Sequence, residues 1–128
     1  MIFLDTSAIY ALASRSDANH ATARKKFAAI LDDGISIATH NYVLVESFAL
    51  LQHRLGLPVA AKFNADTRHF DVEWVTPEIH GEAARRWELG AKHVSFVDHV
   101  SFLVMQLRGI SVAFAFDDDF AHAGFRIY

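Results

Sequence analysis

The sequence predicts an α/β fold of three layers, α/β/α, in which a mostly parallel sheet of four to five strands lies between helices. Short β-type segments alternate with helical segments along all 128 residues, and such alternation favours βαβ crossovers and a parallel sheet. The first segment, Ile2–Leu4, is continuously apolar, which is typical of a strand buried on both faces. With 52% hydrophobic residues at this length, we expect residues 1–128 to form a single domain with its own core.

The first half of the chain divides at glycine, proline and helix-capping residues. A helix-compatible stretch follows the first strand, and apolar residues at helical spacing then predict a surface helix over Asn19–Leu31. The alternating, β-branched segment Ile35–Thr39 predicts the second strand. The elements predicted next are a long helix from Tyr42 to about Leu55 with Asn41 as its cap, and a helix over Val59–Arg68 that is introduced by Pro58.

The second half continues the same alternation. Its predicted elements are the strand Val72–Val75, a helix from Thr76 to about Leu89, a helix from Ser95 to Arg108 that stops at Gly109, the strand Ile110–Phe116, a short helix or turn over Asp117–Ala123, and a last strand over Phe125–Tyr128. In a parallel sheet built from these elements, the carboxyl ends of the strands meet at one edge.

Composition and charge exclude several classes of protein. The longest segment without Asp, Glu, Lys or Arg, residues 34–45, is too short to cross a bilayer as a helix. A net charge of −3 argues against a protein that coats nucleic acid by bulk electrostatics. The absence of cysteine excludes disulfides and thiolate zinc sites, and the eight histidines show no zinc-ligand spacing. Because the N-terminus also lacks a secretion signal, we expect a cytoplasmic protein.

Two of the predicted strands are followed directly by aspartate. Asp5 follows the first strand and Asp117 follows Ile110–Phe116, so both are predicted at the sheet edge where ligand crevices form. Each also has a purely local explanation. Asp5 can cap the next helix, and Asp117 can belong to a solvated acidic turn with Asp118 and Asp119.

Glu46 and Asp98 lie in predicted helices that are otherwise rich in apolar residues. No cation stands three or four residues from Glu46, so its charge is compensated either by solvent at the edge of the apolar stripe or by a partner from elsewhere. Asp98 fits the spacing of a capping box with Ser95, which explains it locally. It also lies at a helix N-terminus, where charge and ligands gather.

Convergence of these four acids at one sheet edge would create a site of oxygen ligands alone. Magnesium and manganese prefer such ligands, and clustered carboxylates repel one another unless a cation neutralises them. The site would suit metal-assisted hydrolysis of a phosphodiester, in which the metal activates water and stabilises charge on the phosphate.

Four motifs occur in order over nearly the whole chain. They are Phe3-Leu4-Asp5-Thr6-Ser7-Ala8, Val43-Leu44-Val45-Glu46, Ser95-Phe96-Val97-Asp98-His99-Val100-Ser101-Phe102, and Phe116-Asp117-Asp118-Asp119-Phe120 with Ala123-Gly124-Phe125 after it. This ordered set resembles the motifs of PIN domains, and most closely those of the VapC-type ribonuclease toxins of bacterial toxin–antitoxin pairs.

The resemblance implies a PIN-like fold and a ribonuclease that depends on Mg²⁺ or Mn²⁺. By resemblance, Asp5, Glu46, Asp98 and Asp117 would bind the metal and act in catalysis, and Asp119 would be an auxiliary ligand. The resemblance also implies an RNA substrate, a homodimer and a cognate antitoxin that covers the acidic site. The candidate surface for that antitoxin is formed by the apolar faces of the helices between Tyr42 and Arg68, although a plain core also explains those faces.

Two positions depart from the family pattern. Ala115 stands where relatives carry a hydroxyl residue two places before the late aspartate, and Val97 stands where many carry Thr. Both changes remove hydrogen bonds that could orient the acids. The alternative hypothesis is therefore a PIN fold with weak or no catalysis that acts as a protein-binding or RNA-binding module.

Overall fold

The computed structural model describes residues 1–128 as five strands and seven α-helices. The strands are β1 Ile2–Leu4, β2 Ile37–His40, β3 Asp71–Glu73, β4 Val112–Phe114 and β5 Arg126–Ile127. The helices are α1 Thr6–Ala13, α2 His20–Asp32, α3 Asn41–Leu55, α4 Leu57–Asp66, α5 Pro77–Leu89, α6 Phe96–Arg108 and α7 Asp119–His122, with a 3-10 turn at Thr67–His69.

All five strands form one parallel sheet in the order β3-β2-β1-β4-β5. The predicted α/β class and the mostly parallel sheet are therefore confirmed. The strand order runs in one direction from β1 to β3 and then jumps across the sheet to β4. Because right-handed crossovers in opposite directions cover opposite faces, α1–α4 and α5–α6 lie on different sides, which gives the three predicted layers. The order reverses between β1 and β4, and ligand crevices form at such switch points.

The core follows from this layering. The central strand β1 is fully apolar and buried, and twenty buried residues around the sheet form the main hydrophobic cluster. A second cluster, between α5 and α6, consists of Ala83, Val100, Leu103 and Val104. No helix of the chain combines the length and apolar character needed to span a bilayer.

The start of α3 differs from its prediction. The prediction that Asn41 caps this helix is wrong, because the cap is His40, whose ring accepts a hydrogen bond from the Val43 amide. The Asn41 side chain instead accepts from the Val75 amide just beyond β3, at 2.7 Å. A long-range backbone partner thus replaces the local capping role that Asn usually takes.

The strands β2 to β5 are shorter than predicted, and α4 starts earlier. The Ile110 amide bonds back to Met105 at the end of α6, so β4 starts at Val112 and not at Ile110. Similarly, α4 begins at Leu57 because Pro58 lies inside its first turn. Gly56, at a φ of 96°, makes the sharp change of direction between α3 and α4.

Candidate metal centre

Three carboxylates from distant parts of the sequence converge at the switch point of the sheet. Asp5 follows β1, Asp117 lies just beyond β4, and Asp98 lies in the first turn of α6. Each offers an oxygen atom, and these three oxygens lie within 4.8 Å of one another. The adjacent strands explain the approach of Asp5 and Asp117, because Leu4, directly before Asp5, is paired in register with Phe114, three residues before Asp117.

Asp5 is both a helix cap and a member of this acidic group. Its side chain is 3% exposed, and one carboxylate oxygen accepts hydrogen bonds from the Ser7 amide at 3.0 Å and the Ser7 hydroxyl at 2.6 Å. Its own amide donates to the Phe114 carbonyl. The capping hypothesis and the strand-end hypothesis therefore describe the same residue, since capping uses only part of the carboxylate's capacity to accept.

The Ser7 hydroxyl connects the two strand ends that carry Asp5 and Asp117. It donates to Asp5 and accepts a hydrogen bond from the Phe116 amide at 2.9 Å. Because Phe116 directly precedes Asp117, one hydroxyl group fixes both acids relative to each other.

Asp98 is positioned by the helix cap predicted from its spacing. The Ser95 hydroxyl accepts a hydrogen bond from the Asp98 amide at 3.1 Å. The Asp98 side chain is partly buried, and it faces the carboxylates of Asp5 and Asp117. The cap therefore determines where the helix begins, and the helix places the carboxylate against the sheet edge.

The electrostatics of the group favour a bound cation. Burial and the charge of Asp5 raise the pKa of Asp98 to about 7, and the same two causes raise the pKa of Asp117 to about 6. Burial also raises the pKa of Asp5, although the hydrogen bonds from Ser7 oppose this. Such shifts mean that the carboxylates are difficult to ionise together without a compensating positive charge.

Glu46 and Asp119 lie at the margin of the site. Glu46 is exposed on α3, outside the three-carboxylate group, yet its charge contributes to the raised pKa of Asp5. Asp119 is partly buried; its charge adds to the raised pKa of Asp98, its amide donates to Asp117, and its carboxylate lies 3.4 Å from the His93 ring. Glu46 and Asp119 therefore influence the electrostatics of the site, while Asp5, Asp98 and Asp117 alone form the close group.

The donor set fits a hard divalent cation. Three carboxylates supply only oxygen ligands, and no lysine or arginine forms an ion pair with any of them. Magnesium and manganese match this set better than zinc, which prefers nitrogen and sulfur.

Sequence reasoning missed most of the polar residues that support the acids. The bond from Ser47 to Thr6 joins α3 to α1, and His40 bonds to Ser101 on α6. Among these supporting residues, only Ser7 could be predicted from a local motif, because it lies two residues after Asp5. The other contacts depend on how α3 and α6 pack, for which the sequence carries no local signal.

Comparison with known proteins identifies the family. The PIN domain model matches residues 2–126. The chain belongs to the PIN-domain family. The three-layer arrangement around a parallel sheet is accordingly that of a PIN-like fold.

The relatives within this family are rRNA endonucleases. The chain is 40% identical to the 23S rRNA-specific endonuclease VapC20 of Mycobacterium tuberculosis, in both the CDC 1551 / Oshkosh and the H37Rv strains, over 98% of this chain and 95% of theirs. A crystal structure of M. tuberculosis VapC20, described as a Sarcin–Ricin loop cleaving toxin, superimposes with a TM-score of 0.88 at 37% identity and covers 98% of this chain and 96% of that one. The predicted resemblance to VapC-type toxins is confirmed.

Proposed function

We propose that the chain is an endoribonuclease that depends on Mg²⁺ or Mn²⁺ and acts as the toxin of a toxin–antitoxin pair. The observation that carries the proposal is the convergence of three carboxylate oxygens within 4.8 Å at the switch point of the sheet. Their raised pKa values support it, because a bound cation would stabilise the ionised carboxylates, which the surroundings otherwise disfavour. The VapC20 relatives are named as rRNA endonucleases, which supports hydrolysis of RNA as the reaction.

In this proposal Asp5, Asp98 and Asp117 hold the metal, and Glu46 and Asp119 surround it. A divalent ion held there would supply a polarised water and positive charge beside the scissile phosphate. Asp119 and Glu46 would orient water or accept its proton, since they lie outside the closest approach of the three carboxylates. Ser7 holds Asp5 and Asp117 in place, and the burial of Asp5 limits competition from solvent.

We propose structured ribosomal RNA, and first the sarcin–ricin loop of 23S rRNA, as the substrate. Identity of 40% over nearly the full length of both chains supports a shared substrate class. The negative net charge of this chain fits recognition of a local RNA structure better than coating of long RNA.

The proposed partner is a cognate antitoxin, as for other toxins of this class. An apolar groove of about 670 Å³ between α1, α2 and α4 supports such a partner, with Leu12, Phe27 and Phe63 among its walls and Arg15, Arg24 and Lys62 around it. We also expect a homodimer, which size-exclusion chromatography with light scattering measures directly.

The decisive experiment is RNA cleavage by the purified chain with and without metal. We expect fragments of 23S rRNA in millimolar Mg²⁺ or Mn²⁺, none in EDTA, and none with the Asp5→Asn protein under any condition. Equal cleavage by the Asp5→Asn protein would refute the assignment of the site. Binding of RNA without cleavage by a folded, metal-loaded wild-type chain would support the alternative, a PIN fold that acts as a binding module.

A further inference from the structure

A buried histidine joins the end of β2 to the helix that carries Asp98. His40 is 0% exposed, and its Nε2 atom lies 2.8 Å from the hydroxyl of Ser101, which is also 0% exposed. The Ser101 hydroxyl in turn donates to the Val97 carbonyl at 3.0 Å. Val97 directly precedes Asp98, so a continuous chain of hydrogen bonds leads from the sheet to the first turn of α6.

The contacts fix which atom of His40 carries the proton. Its Nδ1 atom accepts from the Val43 amide at 3.2 Å, so Nε2 must be the protonated nitrogen and must donate to Ser101. Burial lowers the pKa of His40 to about 3, which keeps the ring neutral throughout the range in which the acids titrate. Every polar atom of the pair is satisfied, and a fully satisfied buried network specifies a single packing arrangement.

The pair connects two helices that both bring acids to the site. His40 caps α3 by accepting from the Val43 amide, and α3 carries Glu46 one turn further on. Ser101, the other member of the pair, lies on α6, which carries Asp98. Val97 itself has no hydroxyl, so the support of this turn runs through its backbone carbonyl and not through its side chain. Phe3 lies against the His40 ring, with centroids 5.6 Å apart, and this contact fixes the ring from the side of β1.

We propose that His40 and Ser101 are positioning residues that hold Asp98 at the distance from Asp5 and Asp117 needed to bind the divalent ion. The proposal rests on the proposed function, because it takes Asp98 to be a metal ligand. It requires that breaking the bond between His40 and Ser101 weakens metal binding by more than the loss of stability explains. Neither residue belongs to the three-carboxylate group that would hold the ion.

Two substitutions at position 40 separate the bond to Ser101 from the helix cap. His40→Asn retains an acceptor for the Val43 amide but is too short to reach Ser101. His40→Gln places an amide donor at about the position of Nε2 and thus retains the bond to Ser101. Ser101→Ala removes the same bond from the other side and tests it even if the shortened side chain of His40→Asn prevents folding.

The measurement is the affinity for Mn²⁺, determined by electron paramagnetic resonance or calorimetry on protein freed of metal. We expect His40→Asn and Ser101→Ala each to weaken binding about 10-fold, as loss of outer-shell support typically does. The double variant should bind no more weakly than either single variant, because both remove one interaction. His40→Gln should remain close to wild type. Ile30→Val, buried in α2 away from the acids, controls for a general loss of stability and should leave the affinity unchanged.

The outcomes separate this proposal from the proposed function. If the wild-type chain binds Mn²⁺ and Asp5→Asn does not, but His40→Asn and Ser101→Ala bind as tightly as wild type, only the positioning role is overturned. The positioning role is also overturned if Ile30→Val weakens Mn²⁺ binding as much as His40→Asn and Ser101→Ala do. If the wild-type chain binds no Mn²⁺, or binds it equally well after Asp5→Asn, both proposals are overturned.

Discussion

Asp98 is the acid whose ionisation is most strongly opposed by its surroundings. Its pKa of about 7 exceeds the ordinary value of 3.8, because the side chain is partly buried and faces Asp5 and Asp117. Folding therefore favours the protonated form. The carboxyl group contributes stability below about pH 4, and that contribution is lost as the pH rises through 7.

We predict that Asp98→Asn stabilises the metal-free protein at pH 8 and has little effect at pH 4. The amide cannot ionise, so it retains the stability that the wild-type carboxyl loses on deprotonation. Thermal unfolding in EDTA at both pH values measures the effect, with Tm expected to rise by about 4 °C for each kcal/mol of repulsion removed. The same variant should bind no metal. A lower Tm than wild type at pH 8 would contradict the repulsion between the acids.

Ser7 has a different role, since it stabilises the charged form of its neighbour. We predict that Ser7→Ala weakens Mn²⁺ binding about 10-fold to 100-fold, because Asp5 and Asp117 lose their common hydrogen-bonding partner. It should also lower the free energy of unfolding by about 1–3 kcal/mol, because the Phe116 amide is left without a partner. Metal titration and urea denaturation measure the two effects. Ser7→Thr, which retains the hydroxyl, serves as the control, and unchanged affinity after Ser7→Ala would show that the bridge is dispensable.

At the scale of elements, the start of α6 determines where Asp98 lies. Ser95 caps α6 and Thr76 caps α5 through the same type of bond, in which the hydroxyl oxygen accepts from the amide three residues later, at 3.1 and 3.2 Å. The two caps thus form a matched pair, of which only one supports an acid of the site.

We predict that Ser95→Ala and Thr76→Ala each lower the free energy of unfolding by about 1 kcal/mol, the usual effect of losing a helix cap. Only Ser95→Ala should weaken metal binding, because fraying of the first turn of α6 moves Asp98. Urea denaturation and Mn²⁺ titration of both variants provide the comparison. Equal metal affinities in the two variants would show that α6 is held in place without its cap.

The elements themselves were largely predictable, because their signals are local. We could predict α6 from its apolar periodicity, its cap at Ser95 and its stop at Gly109. The apolar segment Ile2–Leu4 likewise predicted β1. The cap of α3 was not predictable. His40 is an unusual capping residue, and Asn41, the better candidate, instead accepts from the Val75 amide, a long-range contact beside the paired strands β2 and β3 that the local sequence does not signal.

At the scale of the molecule, the strand order creates the site. The sequence alone suggested that strand-end acids share one edge, since parallel strands require this, but not that β1 and β4 are neighbours. The sequence also could not predict which of the five acids approach one another most closely. Whether Asp98 approaches more closely than Glu46 depends on the packing of α6 and α3 against the sheet, which no local pattern encodes.

We predict that millimolar Mg²⁺ raises the Tm of the whole domain, and that the rise is greater at pH 8 than at pH 5. Ions bind the ionised carboxylates, and Asp98 and Asp117, with pKa values of about 7 and 6, are largely protonated at pH 5. An ion concentration of 100 times Kd stabilises the folded state by about 2.7 kcal/mol. Thermal unfolding against Mg²⁺ concentration measures the effect, with KCl at equal ionic strength as the control. A shift of equal size in KCl would indicate general screening and not a bound ion.

The neighbouring positions of β1 and β4 have a consequence for synthesis of the protein. Asp5 belongs to the earliest part of the chain to be translated and Asp117 to one of the latest, yet the two acids meet only when these strands pair. A nascent chain that lacks β4 holds an incomplete set of ligands, however well its first helices have folded. In the proposed function, the metal site and with it the cleavage activity would thus form only after nearly all of the polypeptide had emerged from the ribosome.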